Sequence, residues 1–92
     1  MPSSKPRDYS LTLADGTSEQ VFPNATYGSF QERFIANPNE AGDLWVNIFG
    51  ETAGANLQGS FAIPPKTGWV GATTQVINVA AASALVVTAG ER

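Results

Sequence analysis

The chain contains no cysteine and no histidine among its 92 residues. Without cysteine there is no disulfide, no thiolate nucleophile and no cysteine-ligated zinc. Without histidine the commonest general base and metal ligand are gone, together with the usual activator of a serine nucleophile. Catalysis would fall to carboxylates, lysine or tyrosine, so the composition points away from an enzyme and implies no cofactor and no metal. Charge is also scarce. Asp, Glu, Lys and Arg make up 14% of the chain, against about 25% in ordinary soluble domains. Much of the surface must then be Ser, Thr, Asn, Gln, Gly or Ala, which suits packing against other protein. Eight acidic and five basic residues leave a formal charge of -3, the wrong sign for neutralising phosphates, so nucleic acid is not an expected partner. The most apolar segment, VINVAAASALVV, falls short of the ~20 residues that span a bilayer, so no membrane role is expected. The opening MPSSKPRDYS has two cations and no apolar stretch after them, which is not a secretory signal and predicts synthesis in the cytoplasm.

The length suits one domain, and one with a thin stability margin, since a chain this short buries roughly 60 to 65% of its unfolded surface. Residues 1–7, with prolines, serines and the cations Lys5 and Arg7, read as a flexible or extended N-terminal arm. Residues 8–92 read as a single β domain. Tyr9, Leu11 and Leu13 alternate with Ser10 and Thr12 as in a strand. Asp15-Gly16 supplies turn chemistry, and Ser18 to Phe22 then reads as the hairpin partner. Tyr27 to Ala36 alternates again, with Phe30, Phe34 and Ala36 on the apolar face and Gln31, Arg33 and Ile35 on the other; Glu32 on the apolar face places this strand near a sheet edge. Asn37 to Gly42 is the strongest turn signal. The strongest strand follows, Asp43 to Phe49, with Leu44, Val46 and Ile48 on one face, and it is expected to be central. Residues 50–59 carry Gly50, Gly54 and Gly59 and read as a loop with Leu57 tucked inward. Ser60 to Ile63, Gly68 to Val70, Thr74 to Ala80 and Ala84 to Thr88 complete the strands, with Ala81 to Ser83 as the last turn. The fold class is therefore all-β: a single compact antiparallel sandwich or barrel of about seven or eight short strands.

Candidate chemistry is sparse. Trp45, Trp69 and Tyr27 could together offer flat rings to a sugar, although a tryptophan also dominates a small core by bulk alone. Trp69, beside Gly68 and Gly71, reads as either core or interface. The carboxylates fall mostly in turns and strand ends, and a domain this small has little room for the cleft in which a glycosidase holds two of them about 5 to 9.5 Å apart. The 50–59 loop lacks the Lys-Ser/Thr ending of a phosphate cradle. Lys5 and Arg7 could dock the arm on an acidic neighbour, so Lys5, Arg7 and Trp69 are the candidate assembly-interface residues.

LWVNIFGETA, then GSFAIPP, a Trp-containing connection, and VINVAAASALVVTAGE occur in that order from Tyr27 onward. This series resembles the short accessory proteins of tailed-bacteriophage virions. Their shared order is an aromatic strand ending in Asn-x-x-Gly, a Gly/Ala-rich loop, a Gly-Ser strand into Pro, and a final Val/Ala hairpin. The resemblance implies a β-sandwich located in the virion. Its role would be capsid decoration (a cement protein on the head shell) or, alternatively, a tail, neck or head-fibre adaptor. Implied partners are the major capsid protein or other virion proteins, and further copies of the chain, many decorating proteins being trimers. A carbohydrate-binding module for host attachment is the reading from a different class.

Overall fold

The computed structural model describes residues 7–14, 16–26 and 28–92. Among these residues the secondary structure is nine strands and no helix: β1 Arg7–Asp8, β2 Leu11–Leu13, β3 Ser18–Phe22, β4 Arg33–Asn37, β5 Leu44–Asn47, β6 Ser60–Ile63, β7 Thr67–Gly71, β8 Ile77–Ala80 and β9 Leu85–Glu91. They form two antiparallel sheets. The five-stranded sheet runs β1-β9-β4-β7, with β2 also on β9; the four-stranded sheet runs β3-β8-β5-β6. Since β1 and β2 are successive segments along one side of β9, the architecture is eight-stranded in effect. Apart from β1 with β2 and β5 with β6, successive strands alternate between the sheets, so this is the double Greek-key arrangement of a jelly roll.

The alternating apolar residues explain the core. Leu13, Ile35, Leu85, Val87 and Ala89 from one sheet meet Phe22, Leu44, Val46, Ile63, Ile77 and Val79 from the other, all buried. β5 is an interior strand with Leu44 and Val46 facing inward, as its pattern predicts. Tyr9 and Leu11 pack against the core beside Leu13.

Three expectations need correction. First, β2 and β3 are not a hairpin: β2 pairs with β9, and β3 with β8. The segment between them turns a corner from one sheet to the other, Thr17 N–H donating to the Ala14 carbonyl at 3.3 Å. The expected final hairpin fails likewise, because β8 and β9 lie in different sheets. Among the described strands, only β5 and β6 are consecutive partners across a connection in the hairpin manner. Second, β4 is interior, between β9 and β7, and its faces are reversed. Arg33, Ile35 and Asn37 are buried, while Phe34 and Ala36 on the outer face are half-buried. Third, Leu57 stays exposed, because its loop folds over on its own backbone, with Leu57 N–H on the Gly54 carbonyl.

Two buried asparagines hold connections in place. At the end of β5, Asn47 Oδ1 accepts from the Phe49 amide at 2.8 Å and the Glu51 amide at 3.1 Å. Gly50 sits between those two amides at φ +82°, a left-handed conformation that glycine adopts without Cβ strain. The Asn-x-x-Gly spacing of residues 47–50 thus has a local physical basis. Asn47→Ala is expected to cost about 1 to 2 kcal/mol, since two loop amides lose their acceptor. Far-UV-monitored urea unfolding checks this, and a variant as stable as the parent would show that the loop needs no anchor.

Candidate functional site

The two outer sheet faces differ in what covers them. Over the four-stranded sheet lies the connection between β5 and β6. Asn78 Nδ2 donates to the Glu51 carbonyl at 2.7 Å, Ala53 is buried, and Gly54 N–H reaches Ser60 Oγ at 3.2 Å. Trp45, half-buried on this face, borders a cavity of about 350 Å³ whose walls are otherwise Gly, Ala, Ser and Thr.

The outer face of the five-stranded sheet has no such cover among the described residues. Its strands present Thr12 from β2, Phe34 and Ala36 from β4, Gly68 and Val70 from β7, and Val86, Thr88 and Gly90 from β9. The register aligns them in rows: Phe34 lies between Gly90 and Val70, Ala36 between Thr88 and Gly68, and Val86 opposite Thr12. Val70 is 58% and Val86 48% exposed. Phe34 lies flat because position 90 has no side chain: a Cβ there would come within 2.6 Å of the ring and 2.8 Å of the Arg7 carbonyl. Charge is confined to the margin. The Arg92–Glu32 ion pair sits at one end, with the Arg92 guanidinium 5.8 Å from the Phe34 ring centre. Asp8 flanks a depression of about 270 Å³ that Phe34, Thr88 and Ala89 help to line. The hydroxyl and then the amide of Ser10 hold the Asp8 carboxyl below its ordinary value, so this margin keeps its negative charge into mildly acidic solution.

Of the candidate assembly residues, Arg7 and Trp69 are described, and they lie on strands at opposite edges of the five-stranded sheet. Arg7 opens β1, is 62% exposed, and reaches Glu91 at 3.5 Å. Trp69 is on the inner face of β7, half-buried against the core, with its ring 6.3 Å from that of Phe61 on β6. It fills the open side of the sandwich between the two edge strands. Lys5 lies outside the described residues. The three-ring sugar platform is not assembled from its two tryptophans, since Trp45 is outside one sheet and Trp69 inside the other; Tyr27 lies outside the described residues.

Sequence reasoning missed a buried ionic cluster. Arg33, fully buried, donates from Nε to Glu91 Oε2 at 2.8 Å. Its Nη1 reaches the carbonyls of Thr73 (3.1 Å) and Gln75 (2.7 Å), and its Nη2 that of Pro23 (2.6 Å). The guanidinium lies between the rings of Phe22 and Phe30, 4.7 and 4.6 Å from their centres. Glu91 Oε1 also accepts from the Tyr9 hydroxyl at 3.4 Å. All these partners belong to the protein itself, and the cluster is structural. Of the other acids, Glu32 pairs with Arg92 and Glu40 with Lys66. Among the described residues no group of three acidic side chains could hold a metal ion.

No family model matches the chain, and no curated protein matches it. A solved structure, an RmlC-like cupin protein from Desulfovibrio desulfuricans, superposes with a TM-score of 0.61 at 15% sequence identity, over 99% of this chain and 74% of that one. At that identity the likeness is one of fold, and it agrees with the two-sheet, all-β architecture traced by the strand pairing.

Proposed function

We propose that the chain is a non-enzymatic virion structural protein that decorates and cements a tailed-phage head shell, docking on capsid protein through the outer face of its five-stranded sheet. The observation that carries this reading is the uncovered, uncharged face around Phe34, Val70, Val86 and Thr88. Apolar and hydroxyl side chains on a stiff sheet can be desolvated against protein at little cost, whereas a charged face cannot. The jelly roll is an architecture that viral capsid domains use, although architecture alone does not decide function. The ordered motifs from residue 27 onward point the same way. Binding the assembled shell and not its dissociated subunits would stabilise the shell by mass action.

The test is to add purified protein to stripped capsids and record their disruption temperature. The expected result is a rise that saturates with added protein; absence of any capsid binding would overturn the proposal. Thr88→Glu places a charge in the middle of the face. Because Thr88 is exposed, this change should alter the chain's own stability by no more than about 0.5 kcal/mol. Capsid affinity should nevertheless fall by about tenfold or more through the unpaired buried carboxylate. Undiminished capsid binding by the variant would show that a different surface docks.

A further inference from the structure

The free edges of the sandwich are not equally guarded. β1 and β2 are segments of two and three residues, and β1 carries exposed Arg7 and Asp8. β3 carries Glu19, shifts register between Gln20 and Phe22, and runs into Pro23. β6 is four residues long and stops at Pro64-Pro65. Charges, irregularities, prolines and shortness are the features that keep an edge from pairing with another chain. β7, Thr67–Gly71, has no charge and no proline over its five residues, stays in register with β4, and pairs on one side only, with β4. Its one irregularity is at the entry, where the Lys66 amide, at φ +65°, donates to the Asn37 carbonyl and the Thr67 amide turns back to Pro64.

The backbone of that edge can be read from the register. Glu32 and Arg92 exchange both amide bonds, at 2.8 and 2.9 Å, so on β4 the even-numbered residues Phe34 and Ala36 direct their polar groups toward β9. The alternation of an antiparallel ladder then turns Arg33, Ile35 and Asn37 toward β7, where their register partners are Gly71, Trp69 and Thr67. The N–H and C=O groups of Gly68 and Val70 are left directed away from the sheet.

We propose that β7 is a homodimer interface, pairing antiparallel with β7 of a second copy across a two-fold axis centred on Trp69. In that register Gly68 of each copy faces Val70 of the other, and these are the residues with outward backbone groups, so four backbone hydrogen bonds form. The side chains fit as well. On the outer face the exposed Val70 meets a glycine, which leaves room for it; on the inner face the two half-buried Trp69 rings come together. No like charges are apposed, because residues 67–90 include none at all. A two-fold interface needs one patch that complements itself, and a five-residue strand with a glycine two positions from a valine about a central aromatic has that property. The paired sheets would be continuous, and their uncharged outer faces would form one surface.

Sedimentation equilibrium and amide hydrogen exchange on the whole chain test this. The expected result is a concentration-dependent shift from the monomer mass of 9.6 kDa to twice that value, with the amides of Gly68 and Val70 gaining protection as the dimer forms. Val70→Pro removes an N–H that β4 does not use, a substitution that edge strands tolerate. It should weaken association by about tenfold to a hundredfold, on the scale of two lost backbone hydrogen bonds per dimer. Val70→Lys should do the same by placing a charge on the edge, and Val70→Thr should leave the dimer intact. A monomer at every concentration up to the high micromolar range would overturn the proposal. So would a dimer in which the Gly68 and Val70 amides exchange freely, or one that Val70→Pro and Val70→Lys, both still folded, leave unweakened.

Discussion

Arg33→Ala is expected to destabilise the chain by about 3 to 5 kcal/mol, the usual consequence of breaking a buried ion pair, since among the described cations Glu91 keeps only the long contact to the exposed Arg7 at 3.5 Å. Domains of this kind have only about 5 to 15 kcal/mol in total, so the variant should lose roughly a third or more of a typical stability. The cause is the number of segments that one guanidinium joins. It connects β4 to β9 through Glu91, to the residue after β3 through Pro23, and to the β7–β8 connection through Thr73 and Gln75. Truncation takes the partner from Glu91 Oε2, from three carbonyls and from the two rings that sandwich the cation. Arg33→Lys should recover little, because an ammonium has neither the planar fork that reaches separate acceptors nor the flat face that stacks on rings. Denaturant unfolding of Arg33→Ala, Glu91→Ala and the double variant measures the coupling. The double variant should cost less than the sum of the singles by at least about 1 kcal/mol. A loss below about 1 kcal/mol for Arg33→Ala would mean that the cluster contributes no more than an exposed pair does.

Asn37→Ala should rank second, at about 2 to 4 kcal/mol, because the buried Ile63 carbonyl and the partly buried Gly42 carbonyl lose their donor at once. Asn37 Nδ2 donates to the carbonyls of Gly42 and Ile63 at 2.8 and 2.9 Å. Its Oδ1 accepts from the Asn39 side chain at 2.7 Å. Asn39 in turn brackets the backbone of Val86, donating to its carbonyl at 2.8 Å and accepting from its amide at 3.0 Å. The end of β4 is thereby tied to the approach to β5, the end of β6 and the start of β9. Asn37→Asp separates hydrogen bonding from size. At neutral pH a carboxylate would face two carbonyls with no proton to offer, so its pKa in the folded state should rise. The deficit relative to the parent should then be largest above that raised value and shrink as the pH falls through it toward the ordinary aspartate range. Urea midpoints measured across the acid range check this; a deficit independent of pH would show that Asn37 acts by packing.

Local alternation was enough to find most strands, including β5 with its inward Leu44 and Val46 and β6 with its stop at Pro64. It failed where the deciding partner was remote. Phe30, Phe34 and Ala36 are the more apolar set around β4, so alternation alone turns Arg33 outward; its counterion on Glu91 lies 58 positions away. A clue was nevertheless present, since Glu91 continues the period-2 series Leu85, Val87, Ala89 and Arg33 shares a face with Ile35. Two opposite charges standing at core positions of otherwise uncharged strands are the signature of a buried pair. The hairpins failed for another reason. Asp-Gly and Ala-Ala-Ser turns serve equally well for reversing within one sheet and for turning a corner between two, and only the global register distinguishes these outcomes. The open outer face could not be read locally either, because it is assembled from β2, β4, β7 and β9, which are scattered along the chain.

The central place of β9 also governs when the molecule can form. β1, β2 and β4 all pair with β9, and β9 begins only at Leu85. During synthesis β1 and β2 must wait, unpaired, until nearly the whole domain has emerged, and β4 has only β7 to pair with until then, while β5 and β6 can close their hairpin early. The four-stranded sheet still needs β8 to join β3 to β5. Folding is therefore a late, concerted event with long loops to close, and slow for a chain of this length. In the interval the nascent chain exposes uncharged strands, β7 among them, that could associate with the wrong partner.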